Sequence, residues 1–307
     1  MISKHKSLLN KWKSYLKIVV SFLLILLILN KFDLHSIVEE ARDVSIWLYL
    51  LVILGHFVLM AIKALRWKIL LNSFRIKCSY REALKAYITG FAFGTFTPGQ
   101  LGDMGKVMLI GAAGRQRKLA LIPSFADRLW DLFGLILVSS VCVLFLFSKQ
   151  FEFYTIVVFV FSSLTVAFVF AYWLYPMVRN QFLRRSEADI ADLFKNWHWS
   201  MCLTAIALLI QLLRWLILSV ALGVPALLGA TSAMIGTLIA LVPVSFGGLG
   251  TREAAMAALF SLNGLSPALG VSFSLLMFGS YLAGTFVGVI LLHTYKIKFR
   301  DQSLEGN

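Results

Sequence analysis

The sequence predicts an all-α, polytopic membrane protein, and three observations carry that expectation. Of 307 residues, 59% are hydrophobic and only 14% are charged, against about 25% charged in a soluble globular chain, and mean hydropathy is +0.82. The apolar residues come in long runs: Ile18 to Leu29 is interrupted only by Ser21, and Phe153 to Trp173 holds no charge. An α-helix needs about 20 such residues to cross the hydrocarbon. Strict apolar–polar alternation between regularly spaced turns, the mark of a membrane β-barrel, is missing. No segment is long and polar enough to form a soluble catalytic domain.

Charge sets the order and direction of the spans. Basic residues gather in short stretches: Lys4 to Lys17, Lys63 to Lys85, Arg115 to Lys118, Arg179 to Lys195, and Lys296 to Arg300, which together hold 22 of the 29 Lys and Arg. The alternate connections hold only Lys31, Arg42 and Lys149. Such a bias places the basic connections, and with them both termini, in the cytoplasm, so the net charge of +14 is read as topology and not as a nucleic-acid surface. The spans expected are 16–31, 45–63, about 119–148, 153–175, 199–222 and 268–293. The first follows a Lys-rich segment but lacks a small-residue cleavage pattern after Leu29, and is read as uncleaved. Two regions remain, 79–114 and 223–262, apolar but broken by Gly and Pro. Each must start and end on one side, which suits re-entrant or discontinuous helices facing protein or water.

The chain also contains an internal repeat. Ala64-Leu-Arg-Trp-Lys-Ile-Leu70 resembles Leu212-Leu-Arg-Trp-Leu-Ile-Leu218, and Thr97-Pro-Gly-Gln-Leu-Gly-Asp103 resembles Ser245-Phe-Gly-Gly-Leu-Gly-Thr251. Both matches, and Ser124-Phe125 with Ser272-Phe273, share one ungapped offset of 148 residues. The copies run from about 45 to 148 and from about 193 to 296, with span 153–175 between them. Because span 45–63 runs inward and span 199–222 outward, the copies are expected to be inverted, an arrangement used by transporters in which one half rocks against the other. A membrane scaffold that retained an old duplication is the alternative.

Once topological charges are set aside, Asp103, Lys106, Asp127, Arg128, Asp131, Arg214, Arg252 and Glu253 remain, with Arg66 as the repeat partner of Arg214. A charge at membrane depth costs about 2.5–3.5 kcal/mol on insertion scales, so such residues pair or line a polar path. Asp103 and Lys106 follow the first break, Arg252 and Glu253 the second. A helix beginning after a break turns free N–H groups and a positive dipole end toward the cavity, with Thr251 as N-cap and Glu253 in the first turn. Pro98 interrupts the preceding helix. Gly99, Gly102, Gly247, Gly248 and Gly250 permit sharp turns and close approach to a ligand. Such a helix start beside arginines suits an anion such as phosphate, with Arg252, Arg128 and Arg214 as first candidates to hold it. The competing reading has Asp103, Asp127 and Glu253 simply neutralising the arginines. Asp127 and Asp131, four apart, share one helix face and would serve acid–base work or a salt-bridge network equally well.

Other chemistries find no support. Neither Gly-rich segment follows a nucleotide-loop pattern; Cys78, Cys142 and Cys202 form no CxxC pair; His56, inside an apolar span, is read as a packing residue. No cofactor and no metal are expected.

Thr97–Asp103, Asp127-Arg-Leu-Trp-Asp131 and Gly247-Gly-Leu-Gly-Thr-Arg-Glu253, followed by Gly264-Leu-Ser-Pro267, resemble the flippase-like membrane domain family. That domain is the N-terminal membrane part of the lysylphosphatidylglycerol synthases, or multiple peptide resistance factors, and also occurs alone. The resemblance extends from about residue 15 to 295. Family members often have Glu-Arg at Asp127-Arg128 and Arg or Lys at Gln100. It implies a lipid-translocating domain of the inner membrane whose partner is an anionic membrane lipid, with a lipid- or glycan-modifying enzyme as a candidate protein partner. The chain ends at Asn307 without the soluble aminoacyl-transferase domain of the full synthases and is not expected to make lysylphosphatidylglycerol; the expectation is a transporter and not an enzyme. The reading from another class is a membrane enzyme, or its partner subunit, in lipid or glycan modification.

Overall fold

The computed structural model describes residues 39–40, 42, 44–95, 97, 100–111, 114–147, 196–242, 245 and 247–305. The expected spans at 16–31 and 153–175, and the residues Pro98 and Gly99, lie outside them. Among the described residues the chain is helical and holds no strand. Its elements are α1 (Ile46–Ser73), α2 (Tyr80–Thr95), a 3-10 helix (Leu101–Leu109), α3 (Gly114–Leu119), α4 (Leu121–Phe147), α5 (Trp197–Ala221), α6 (Ala226–Ala240), α7 (Thr251–Leu262) and α8 (Pro267–Glu305). Among the described residues three helical stretches are long and apolar enough to cross a membrane: Ile46–Ser73, Trp197–Ala221 and Pro267–His293. They correspond to the spans expected at 45–63, 199–222 and 268–293, and α4 occupies the one expected at 119–148.

The long helices form because apolar residues are unbroken by Gly-Pro pairs, and their exposed residues show where lipid lies. On α1, Trp47, Leu50, Leu51, Leu54 and Val58 are exposed at the three- and four-residue spacing of a single face. The opposite face buries Val52, His56, Ala64 and Trp67. In water an apolar stripe of this kind would demand a partner; in a bilayer the acyl chains cover it. α2 and α6 have small buried faces instead, with Ala83, Ala86 and Gly90 on the first and Gly229, Ala233 and Gly236 on the second. Small residues let helix backbones approach closely where lipid offers no hydrophobic drive between helices.

α1 continues ten residues past the expected end at 63. Lys63 and Arg66 were placed among the basic boundary residues, yet Arg66 is fully buried. Its charge is met inside the protein, as described below, so the helix has no reason to stop there.

Residues 79–114 and 223–262 each contain two short helices. In both cases the preceding long helix closes in the same way. The Ile76 N–H donates to the Leu71 carbonyl (3.1 Å) with Arg75 at φ 59°, and the Val224 N–H donates to the Ser219 carbonyl (2.9 Å) with Gly223 at φ 66°. This is a Schellman-type closure, which needs a left-handed residue at that point. The two sites are 148 residues apart. So are Gln100 (φ 55°) and Gly248 (φ 78°), and so are the fully buried Trp67 and Trp215.

Helix contacts follow the same register. α1 packs along α5; α2 packs on α8 while α6 packs on α4; and α1 touches α8 as α5 touches α4. Exchanging residues 46–147 with residues 197–305 leaves these contacts unchanged, whereas the packing of α1 on α4 has no counterpart of like extent between α5 and α8. We refer to these two groups as the first and second halves.

Candidate functional site

Arg66 is the centre of a buried charge network in the first half. Its Nε donates to Asp127 Oδ1 (2.8 Å), its Nη2 to Asp131 Oδ1 (2.7 Å) and to the Asp127 carbonyl (2.9 Å), and its Nη1 to Thr204 Oγ1 (2.8 Å) in the second half. Asp127 and Asp131 are one helical turn apart, which is why one guanidinium reaches both. Lys106, fully buried, donates to Asp127 Oδ2 (2.9 Å) and Asp103 Oδ2 (3.0 Å). In the tighter 3-10 helix, residues three apart eclipse, so Asp103 and Lys106 meet directly. The Lys106 ammonium also lies 4.2 Å from the Tyr87 ring centre and 5.1 Å from that of Trp67, an aromatic cage favourable to a cation. Trp67 is fixed by its indole N–H on Ser124 Oγ (2.8 Å).

Two cations reach outward from this core. Lys63 donates to Asp131 Oδ2 (2.9 Å). Arg128 donates to the Gln100 carbonyl (2.7 Å) and to its Oε1 (3.2 Å), with Asp103 Oδ2 at 3.7 Å. Their side chains are 25% and 22% exposed, in contrast to the sealed Arg66 and Lys106.

The second half balances its charges differently. Arg252 Nη2 donates to Glu253 Oε1 (3.0 Å) and its Nε to Ser274 Oγ (2.8 Å). Arg214 is buried with no carboxylate among its described partners: it donates to the Val52 carbonyl (2.9 Å), Gln211 Oε1 (3.1 Å) and Ser280 Oγ (2.9 Å), and its guanidinium lies 4.6 Å from the Trp215 ring centre. The acids that serve Arg66, Asp127 and Asp131, fall opposite Leu275 and Gly279 in the repeat register.

A cavity of ≈ 100 Å³ lies where the halves meet, bordered by His56, Lys63, Gln100, Arg128 and Asp131 from the first and by Gln211, Thr237 and Tyr281 from the second. A second lobe of ≈ 50 Å³ shares Lys63, Arg128 and Asp131 and extends to Asp103 and Tyr87. Of the residues singled out from the sequence, Arg128, Asp131 and Asp103 reach this space. Arg66, Lys106 and Asp127 form the sealed layer beside it, and Arg214 sits behind Gln211. Arg252 and Glu253 do not line it.

The helix starts behave differently from expectation. N–H groups after the breaks are occupied by the chain itself: Gly102 donates to Thr97 Oγ1 (2.7 Å), Asp103 to the Gln100 carbonyl (3.2 Å), Arg252 to the Gly248 carbonyl (3.0 Å), and Gly250 to Glu253 Oε2 (2.6 Å). The N-cap of α7 is Gly250 and not Thr251, because the Glu253 carboxylate folds back onto that N–H. The glycines meet protein backbone and not the cavity: a Cβ at Gly102 would strike the Phe93 carbonyl, and one at Gly247 would lie 2.5 Å from the Thr95 carbonyl. Gly248 and Gly250 serve the turn through φ of 78° and 85°. Sequence reasoning missed Lys63, Gln211 and Tyr281 as cavity residues. Lys63 was absorbed into the basic boundary, although its position, 148 before Gln211 and one turn before Arg66, already placed it on the interior face.

A helical domain with buried ion pairs among apolar helices, and a cavity lined by charged and apolar side chains together, defines a membrane protein with an internal charged site. The chain matches the family described as Lysylphosphatidylglycerol synthase TM region over residues 14–288, and it belongs to that family. Comparison with curated proteins and with solved structures finds no match. Among the described residues no group of three or more His, Cys, Asp or Glu is placed to hold a metal ion.

Proposed function

We propose that this protein moves an anionic phospholipid, or a lipid-linked anionic intermediate, between the leaflets of the cell's inner membrane. The observation that carries the reading is the charge balance around the cavity. Among the described residues, Lys63, Arg66, Lys106 and Arg128 beside the cavity meet three carboxylates, Asp103, Asp127 and Asp131, so with these ionised the cations there outnumber the acids by one. Interior charge left unmatched is costly, and an anionic headgroup bound at Lys63 and Arg128 would supply the missing counter-charge through charge-assisted hydrogen bonds. The acyl chains would remain in the bilayer. The family membership supports a role in lipid transport or modification without choosing between them.

In this reading both termini are cytoplasmic and the halves are inverted, so that rocking of one against the other exposes the cavity to each leaflet in turn. Reconstitution into proteoliposomes with a chemically trappable anionic phospholipid is the direct test. Wild-type protein should accelerate its appearance in the outer leaflet, and Arg128→Ala should abolish that while the protein still folds, since Arg128 is partly exposed and held by hydrogen bonds to Gln100 and a long ion pair to Asp103. No acceleration with any glycerophospholipid or polyprenyl phosphate would sink the proposal. Altered lipid composition, without altered leaflet distribution, in cells lacking the protein would assign it to lipid modification instead.

A further inference from the structure

His56 stands in the middle of α1, 2% exposed, and neither ring nitrogen has a hydrogen-bond partner among the described residues. Its ring is held between Phe91 (centroids 4.9 Å apart) and Tyr281 (5.2 Å), and it borders both lobes of the cavity beside Lys63 and Arg128. A buried polar group left unpaired costs about 1–3 kcal/mol, and native structures rarely carry one without a role.

Packing alone does not account for it. The position 148 residues on is Thr204, whose hydroxyl donates to the Ser200 carbonyl (2.7 Å) and accepts from Arg66. The corresponding place in the second half is therefore polar and satisfied, whereas the buried His56 nitrogens are unpaired among the described residues. Space is also kept for the ring, since a Cβ at Gly284 of α8 would lie 2.8 Å from His56 Nε2.

The neighbours of His56 indicate what would pair with it. The larger lobe adds Gln211, Thr237 and Tyr281; Gln211 and the Tyr281 hydroxyl meet only at 3.4 Å. Neutral amide, phenol and imidazole beside an aromatic face complement hydroxyl groups. A neutral imidazole presents one donor and one bare acceptor nitrogen. A fully ionised phosphate oxygen can only accept, but a hydroxyl does both.

We propose that the headgroup recognised in this cavity carries hydroxyls as well as a phosphate, and that His56 selects it by hydrogen-bonding those hydroxyls while Lys63 and Arg128 hold the phosphate. The inference rests on reading the cavity as an anionic headgroup site. Its test compares binding of phosphatidylglycerol and phosphatidylpropanol with identical acyl chains to the purified full-length protein. The two lipids carry the same single negative charge and differ only in headgroup hydroxyls. Wild-type protein should bind the hydroxylated lipid about tenfold more tightly. His56→Phe should bind both lipids equally, at the wild-type affinity for phosphatidylpropanol, and His56→Gln, which keeps a donor and an acceptor, should retain part of the preference. Equal wild-type affinities, or a preference that survives in H56F, overturns the proposal while leaving the anionic-lipid reading in place. Binding of neither lipid overturns this proposal and confines the transport reading to lipid-linked intermediates. The wild-type comparison stands even if H56F fails to fold.

Discussion

Arg66 and Arg214 occupy equivalent positions beside equivalent tryptophans, yet one is paired with two aspartates and the other is solvated by neutral oxygens and an aromatic face. The first half is therefore the more tightly coupled. Asp127 accepts from both Arg66 and Lys106, so Asp127→Asn leaves two buried cations short of a partner. Breaking a buried pair on one side costs about 3–5 kcal/mol. We expect D127N to lower the thermal midpoint of the detergent-purified protein strongly, whereas R128A leaves it nearly unchanged. Equal midpoints for D127N and wild type would show that the network contributes little to stability. Arg252 belongs with Asp127 in this respect: its pairing with Glu253 and Ser274 makes it part of the packing of α7 on α8, not of the cavity wall.

At the scale of elements, the breaks decide where the site sits. The turn after α1 and the turn after α5 use a left-handed residue, Arg75 in one and Gly223 in the other. A Cβ at Gly223 would meet nothing within 4 Å, so Gly223→Ala tests backbone strain alone. A non-glycine residue held in that region costs about 1–3 kcal/mol, and we expect G223A to lose stability of that order in denaturant unfolding without loss of transport. These breaks were readable beforehand, since Gly and Pro clusters interrupt runs otherwise long enough to span. The hydrogen bonding within them was not. That Glu253 would reach back to the Gly250 N–H, or that residues 101–109 would wind as a 3-10 helix, depends on which neighbour fills each donor.

Among the described residues the two halves exchange their short helices, α2 onto α8 and α6 onto α4. The inverted topology we propose places equivalent positions on opposite membrane faces. Lys118 and Ser266 are such a pair, and both are exposed. With the exposed Cys202 removed, a Lys118→Cys variant should react with an impermeant thiol reagent only from the cytoplasmic side, and Ser266→Cys only from the opposite side. Labelling of both from one side would refute the inversion while leaving the repeat intact.

The sequence by itself determined that the chain is a helical membrane protein, that its basic connections alternate with neutral ones, and that two segments 148 residues apart share a pattern. These follow from composition and spacing, which act locally and do not require knowing what packs on what. Only the tertiary structure decided which charges are sealed and which face open space. Arg66, Lys106 and Asp127 looked no different in the sequence from Arg128 and Asp131, and His56 looked like a packing residue. Their roles separate because pairing and burial depend on helices brought together from distant parts of the chain, with Asp127 meeting Arg66 across 61 residues and Thr204 meeting it across 138.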